Sequence, residues 1–387
     1  MKIFHTADWH LGKIVQGVSM TRDQQFVLEQ FIEEIRKEKP DVIIIAGDLY
    51  DRSVPPTDAI QLLNKTLKEI LVDEKTPILA IAGNHDSATR LNFGSEFMKA
   101  SGLHIVGHLE QNIDPVIMHD EYGEVHFYLV PFAEPSIVRA VFDDQSLTTH
   151  EAAMAKIIEQ IKQTMDCTKR NIIIGHAFIT KDGMPEPNTS DSERKLTIGG
   201  TECISSALFE PFCYTALGHL HQAHFVANEK IQYAGSPLKY SESEVTHKKG
   251  FLIVDLNEDG SVAIEKRMLA PVRDMRVVTG MLEDILQHKV NDDYVFVKLQ
   301  DEHYVKGAAE LVRTVYPNAL HIERTVVYEQ LEQHATTMNR VQMDDSELFE
   351  LFYTEMTGKP LSDEIKEIYT DVLEQLIENE REKQEVL

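Results

Sequence analysis

The sequence predicts an α/β fold in which a sheet delivers polar residues to one of its ends. Two observations predict it. Short apolar runs at Ile3–Thr6, Val42–Ala46 and Ile78–Ala82 each stop at a cluster of Asp, Asn or His. Segments of helical periodicity lie between them, and in such an alternation ligands gather beyond the strand C-termini.

The second and third runs are apolar throughout, as strands buried on both faces should be. Arg22–Glu38 follows the first run as a helix, with Val27, Leu28, Phe31, Ile32 and Ile35 on one face and Thr21 with Gln24 as a capping signature. Between the second and third strands, Ile60, Leu63, Leu67, Ile70 and Leu71 recur at helical spacing. Further strands are expected at Val125–Val130, Ile172–Ile174, Tyr214–Ala216, Ile231–Ala234 and Phe251–Leu256. Lys181–Gly200, rich in Pro, Ser and Gly, should be a long loop.

From about Met275 the texture changes. Tyr294–Leu299 and Leu320–Val327 read as strands flanking a helix around Ala308–Val315, and Gln330–Arg340 as a polar connector. The expected organisation is a domain over 1–272, a small α/β domain over 273–335 and a helical tail over 340–387. In that tail Asp344 and Glu347 suggest a helix start, and Pro360-Leu361-Ser362 separates two helices. Ile365, Ile368, Tyr369, Val372, Leu373, Leu376 and Ile377 form an apolar stripe that either packs on the body of the protein or docks a partner.

The 387 residues are 42% apolar, enough for a sizeable core. No stretch approaches the ~20 apolar residues of a membrane span, and the first residues run directly into a strand, so a cytoplasmic location is expected. Cys167, Cys203 and Cys213 lack CxxC spacing and read as reduced thiols. A net charge of −26 argues against strong binding of nucleic acid by the chain alone. Bound divalent ions would supply positive charge locally.

The polar clusters carry the chemistry. Asp8-x-His10 on an extended segment would direct a carboxylate and an imidazole at one ion, and His219-x-His221 would repeat this with two imidazoles. Asp48, preceded by Gly47, is placed to bridge two cations and reduce their repulsion. Asn84 offers a neutral amide oxygen, and Gly175-His176 a further imidazole. His85 would face substrate and protonate the leaving alkoxide, with Asp86 either orienting that ring or serving as a turn residue. Carboxylate, amide and imidazole ligands suit Mn²⁺, Mg²⁺, Fe or Zn²⁺ without selecting one. Lys13, Arg52, Arg90, Arg194 and Lys195, beside these motifs or on the long loop, are candidate contacts to the phosphates of a substrate.

Taken in order, Asp8-x-His10, Gly47-Asp48, Gly83-Asn84-His85-Asp86, Gly175-His176 and Gly218-His219-x-His221 resemble the signatures of the calcineurin-like metallophosphoesterases. Ile3–Gly12, Ala46–Asp51, Ser192–Leu196 with Gly199-Gly200, Ala216–His221 and Gly235–Ser241 resemble, more narrowly, the SbcD family of bacterial nuclease subunits. The resemblance implies a four-layer αββα sandwich with a small α/β capping domain and C-terminal helices. It implies one ion on Asp8, His10, Asp48 and His221 and another on Asp48, Asn84, His176 and His219, with His85 catalytic. The implied activity is Mn²⁺-dependent phosphodiester hydrolysis by a water activated between two ions: exonuclease on duplex ends and endonuclease on single strands and hairpins, in DNA repair, replication and recombination. On that resemblance the substrate phosphates met by Lys13, Arg52, Arg90, Arg194 and Lys195 would be those of DNA. The implied partner is an SbcC-type coiled-coil ATPase docked on residues 344–387, within a heterotetramer that contains a homodimer of this chain. A histidine that some relatives carry after the bridging Asp is replaced here by Asp51-Arg52.

Overall fold

The computed structural model describes residues 1–183, 203–325, 348–350, 352–354, 360–370 and 372–373. These divide into two units, Met1–Asp274 and Met275–Leu387.

The first unit contains two six-stranded sheets. In the first sheet, Lys2–Thr6, Val42–Ile45, Ile78–Ile81 and Leu103–Val106 run parallel, with Gly250–Leu256 antiparallel to Lys2–Thr6 and Val262–Met268 beyond it. In the second, Gly123–Val130, Arg170–His176, Tyr214–Gly218 and Asn228–Tyr233 run parallel, and Val116–Asp120 and His224–Val226 form antiparallel edges. Val262–Met268 and both edge strands of the second sheet were not expected, because half-exposed strands carry no continuous apolar run.

Alternation along each strand builds the layers. Ile3, Val42, Ile44, Leu79 and Ile81 of the first sheet meet Phe127, Ile172, Ile174 and Ala216 of the second in one buried core. Phe4 points the other way and packs on Phe31 of the helix Thr21–Glu38 and on Phe251. Behind the second sheet, Tyr128, Ile173 and Tyr233 pack on Val138, Ile157 and Ile161 of the helices Pro135–Phe142 and His150–Thr164. Helix, sheet, sheet and helix make the α/β sandwich.

Two local expectations are corrected. The helix starting at Thr21 has no side-chain cap, and Gln24 is instead buried, donating to the carbonyls of Trp9 at 3.1 Å and His10 at 2.7 Å. In the helix Thr57–Lys68 the buried residues are Ala59, Leu62, Leu63 and Thr66, while Ile60 is 46% exposed. Periodicity alone could not choose between two overlapping apolar faces there.

In the second unit, Met275–Gly280, Tyr294–Leu299 and Ala319–Arg324 form a parallel three-stranded sheet. Its core joins Val278, Val295 and Val297 to Ile285 and to Val312 and Val315 of the helix Ala308–Val315. Residues 348–350, 352–354 and 363–370 are helical. Phe349 stacks on Tyr369 with ring centroids 3.9 Å apart, while Leu348, Phe352, Ile368 and Val372 are exposed. Asp344, Glu347, Leu376 and Ile377, and the connector 330–340, lie outside the described residues. No helix among the described residues is long and apolar enough to cross a membrane, and the three cysteines are free thiols.

Candidate metal centre

The candidate ligands sit where parallel strands stop. Asp8 and His10 follow Lys2–Thr6, Asp48 follows Val42–Ile45, and Asn84 follows Ile78–Ile81. His176 ends Arg170–His176, and His219 and His221 follow Tyr214–Gly218. The first group belongs to one sheet and the second to the other.

The expectation of an extended Asp8-x-His10 is corrected. Asp8 (φ 54°), His10 (φ 46°) and Asp48 (φ 52°) occupy the left-handed region, and His219 has φ 104°. Each such non-glycine residue stores strain, and strain of this kind collects at functional sites. The turns are held together: Asp8 N donates to Gly47 O at 3.0 Å and His10 N to Asp48 O at 2.9 Å. Convergence of the side chains thus comes from interlocked turns rather than from strand alternation. Gly47 (φ 94°) lies against the His176 ring, and a Cβ there would overlap Nδ1.

His10 Nε2 lies 3.0 Å from His221 Nε2 and 3.6 Å from Asp48 Oδ2. Asp48 Oδ2 is 3.4 Å from His176 Nε2, which is 2.9 Å from Asn84 Oδ1. His219 Nδ1 completes the ring at 3.3 Å from Asn84 Oδ1. Ligand atoms of Asp8, His10 and His221 lie within 4.8 Å of one another, as do those of Asp8, Asp48 and His176. All seven side chains named in the sequence are therefore brought together, and Asp48 lies between the two halves.

The electrostatics suit cation binding. Burial lowers the pKa of His10, His219 and His221, favouring neutral rings with a lone pair. His176 differs: burial opposes its charge, but Asp48 outweighs it and raises the ring to about 9. Burial opposes ionisation of Asp48, but His176, His10 and His85 hold it well below the usual carboxylate range. Neutral imidazoles, an amide oxygen and ionised carboxylates are the donor set that divalent first-row ions take, and His176 would join it by releasing its proton on binding.

His85 stands at the rim, its ring 4.7 Å from that of His10. Its backbone N–H donates to Asp48 Oδ1 at 2.9 Å, and its Nδ1 lies 2.8 Å from Asp51 O. Donation from Nδ1 to that carbonyl directs Nε2 away from it. Asp86 does not orient this ring. Its carboxylate accepts the amides of Leu49 at 3.1 Å, Tyr50 at 2.9 Å and Gly83 at 3.0 Å, tying two site loops together. Burial and Asp48 push its pKa up to about 7. Adjacent residues on a turn point apart, so the turn reading holds and the orienting one fails.

The candidate DNA contacts separate. Lys13 is paired with Asp51 at 2.8 Å and its side chain is 14% exposed. Arg52 is exposed, with Asp51 3.8 Å away. Arg90 is exposed on the short helix Ala88–Asn92. Arg194 and Lys195 lie outside the described residues.

Sequence reading missed three residues that touch the ligands. Asp51 Oδ1 faces His10 Nδ1 at 3.5 Å and is held down to about 2, its burial being overcome by His10 and Lys13. Glu244 and Lys249 reach His221. Asp51 was signalled by its place just after Gly47-Asp48. Nothing in Ser241–Glu244 distinguishes Glu244 from a surface acid.

A family model for calcineurin-like phosphoesterase matches residues 1–160, and one for the type 5 capsule protein repressor C-terminal domain matches residues 271–357. The SbcD component of the nuclease SbcCD from Staphylococcus epidermidis is 38% identical over 382 residues, covering 97% of this chain and 99% of the relative. Among solved structures, a dimetal phosphatase from Danio rerio is 12% identical with a TM-score of 0.42, covering 70% of this chain and 97% of its own. GAP50, the anchor in the inner membrane complex of Plasmodium, is 14% identical with a TM-score of 0.39, covering 70% and 89%. With its phosphoesterase motifs in order and a nuclease component matched from end to end, the chain belongs to the SbcD family of calcineurin-like phosphoesterase nucleases.

Proposed function

We propose that this chain cleaves DNA phosphodiesters with two divalent ions, Mn²⁺ in preference to Mg²⁺, held by Asp8, His10, Asp48 and His221 and by Asp48, Asn84, His176 and His219. The observation that carries this reading is the convergence on Asp48 of imidazoles from both sheets, His10 at 3.6 Å and His176 at 3.4 Å. Divalent ions held there supply Lewis-acid charge that acidifies water and offsets the charge of the phosphate.

The chain's own residues do the rest. Asp48 spans the two halves of the cage and shares its charge between them. The left-handed turns at Asp8, His10 and Asp48 fix the donors before substrate arrives, so no reorganisation is needed in the transition state. His85 donates Nδ1–H to Asp51 O, so it gives a proton from Nε2 to the departing sugar oxygen only as the imidazolium, a form that its burial disfavours and the nearby Asp48 carboxylate favours.

The substrate reading is exonuclease action on duplex ends and endonuclease action on single strands and hairpins, in DNA repair, replication and recombination. The partner reading is a coiled-coil ATPase of the SbcC type docked on residues 344–387, with this chain paired as a homodimer in a heterotetramer and located in the cytoplasm. The relative from the nuclease SbcCD supports the ATPase partner. Among the described residues of this tail, Leu348, Phe352, Ile368 and Val372 are exposed and offer apolar surface for docking. A net charge of −26 favours an arrangement in which a partner supplies much of the DNA affinity.

The test is cleavage of linear duplex, hairpin and single-stranded DNA by purified chain in Mn²⁺ or Mg²⁺, with and without the ATPase. Asp8→Ala should abolish cleavage. His85→Asn should retain both ions yet lose about 10²–10⁴-fold in turnover on DNA. The loss should shrink on an aryl phosphodiester, whose leaving group needs no proton. Equal losses on both substrates would remove His85 as the proton donor.

A further inference from the structure

Glu244 is 0% exposed in a chain that carries 64 acidic residues. It sits in the short turn Glu242–Glu244, and its carboxylate meets the His221 ring. One carboxylate oxygen lies 3.0 Å from His221 Nδ1 and also accepts Ser241 Oγ at 3.3 Å. The other takes a short bond from Lys249 Nζ. Lys249, itself 7% exposed, donates further to His221 O and to Ser236 Oγ, each at 2.8 Å.

One buried ion pair therefore holds both the ring and the backbone of His221. Such a pair is not an economical way to stabilise a core, because desolvating two charges offsets most of their attraction. It does accomplish something a hydrophobic pair cannot. A carboxylate at Nδ1 selects the tautomer with the proton on Nδ1, directs the Nε2 lone pair at the ligand cage, and makes that nitrogen a stronger donor. Nε2 of His221 is the atom that faces His10 Nε2 at 3.0 Å. Gly235–Ser241 gains a physical role from the same network, since Ser236 and Ser241 are two of its members.

We propose that Glu244, braced by Lys249, is a positioning residue that fixes His221 as an Nε2 donor and sets the affinity of one of the two divalent-ion sites. This inference rests on the metal-centre reading above. Lys249 keeps Glu244 ionised and in place, and Glu244 acts through His221 without touching substrate.

The test is Mn²⁺ titration of the full chain by calorimetry, with Mn²⁺ paramagnetic resonance counting bound ions. Wild type should bind two. Glu244→Gln should weaken one site about 10–100-fold and leave the other within about twofold. Glu244→Gln combined with Lys249→Met removes both buried charges together and should show the same one-site loss in a chain that melts cooperatively. Glu244→Asp should recover part of the affinity. A folded Glu244→Gln chain whose isotherm superimposes on that of wild type would overturn the inference and leave the metal centre standing. Wild type that binds no Mn²⁺ would instead sink the underlying reading. Failure of both variants to fold would also overturn it, by assigning the pair to structure alone.

Discussion

His10 and His221 meet Nε2 to Nε2 at 3.0 Å in a pocket where neither residue is more than 1% exposed. Only one of two facing nitrogens can hold a proton between them, and burial keeps both rings toward neutrality. A shared cation would satisfy both lone pairs at once. His221→Ala should therefore remove one Mn²⁺ binding event and lower DNA cleavage by about 10³-fold or more. Calorimetry and a cleavage assay at saturating Mn²⁺ measure the two effects. Unchanged cleavage at ordinary Mn²⁺ would take His221 out of the centre.

Asp86 joins the loop after Val42–Ile45 to the loop after Ile78–Ile81 by accepting three backbone amides. Asp86→Ala leaves those donors without their acceptor, and unfolding stability should fall by roughly 3 kcal/mol. The pH–rate limb that belongs to His85 should stay where it is. Denaturant titration and a pH profile separate the two, and a moved limb with unchanged stability would restore the orienting role.

Asp120 accepts two bonds from the Arg170 guanidinium, at 2.8 and 2.5 Å, and lies 3.0 Å from the Met1 ammonium. Arg170, followed by burial in the opposing sense and the terminal ammonium, holds its carboxyl below the ordinary value of 3.8. A depressed folded-state pKa contributes stability that is present above the unfolded value and lost as pH falls through the folded one. Asp120→Asn should cost about 1–3 kcal/mol at pH 7. That gap should close as the pH is taken below 3.8, as followed by thermal melts across the acid range. A gap that persists unchanged at the acid end would assign the loss to packing.

Arg52 and Arg90 are exposed cations close in sequence to Asp48 and to Gly83–Asp86. Arg90→Gln should reduce the slope of log affinity against log salt by about 1 if it meets a phosphate. Lys13→Gln should leave the slope nearly unchanged, because its ammonium is engaged by Asp51 at 2.8 Å. Fluorescence anisotropy on a hairpin DNA in the presence of Ca²⁺, with the salt varied, reads both. A Lys13→Gln slope that falls as far as that of Arg90→Gln would show that the ion pair opens on binding.

Much of the site is legible along the chain because each ligand follows or ends a short, largely apolar strand. Val42–Ile45 and Ile78–Ile81 are fully buried and end within three residues of Asp48 and Asn84. Helices with one clear face, such as Thr21–Glu38, were equally legible. Legibility failed where a residue's role depends on distant backbone. Gln24 looked like a cap and is a buried brace for the His10 loop. Asp86 looked like a partner for its neighbour His85 and instead serves amides 36 and 37 positions away.

Residue chemistry and chain order determined that carboxylate, amide and imidazole donors would collect beyond strand ends, since burial of apolar runs forces polar residues to their termini. Tertiary structure alone decided which atoms meet. His10 and His221 are 211 positions apart, and their nitrogens face each other because the two sheets pack with the ends of their parallel strands side by side. Left-handed turns at Asp8, His10 and Asp48 then aim the donors, and Glu244 and Asp51 stand at the opposite nitrogens of His221 and His10. Orientation of this kind is a property of long-range packing, which spacing along a chain does not encode.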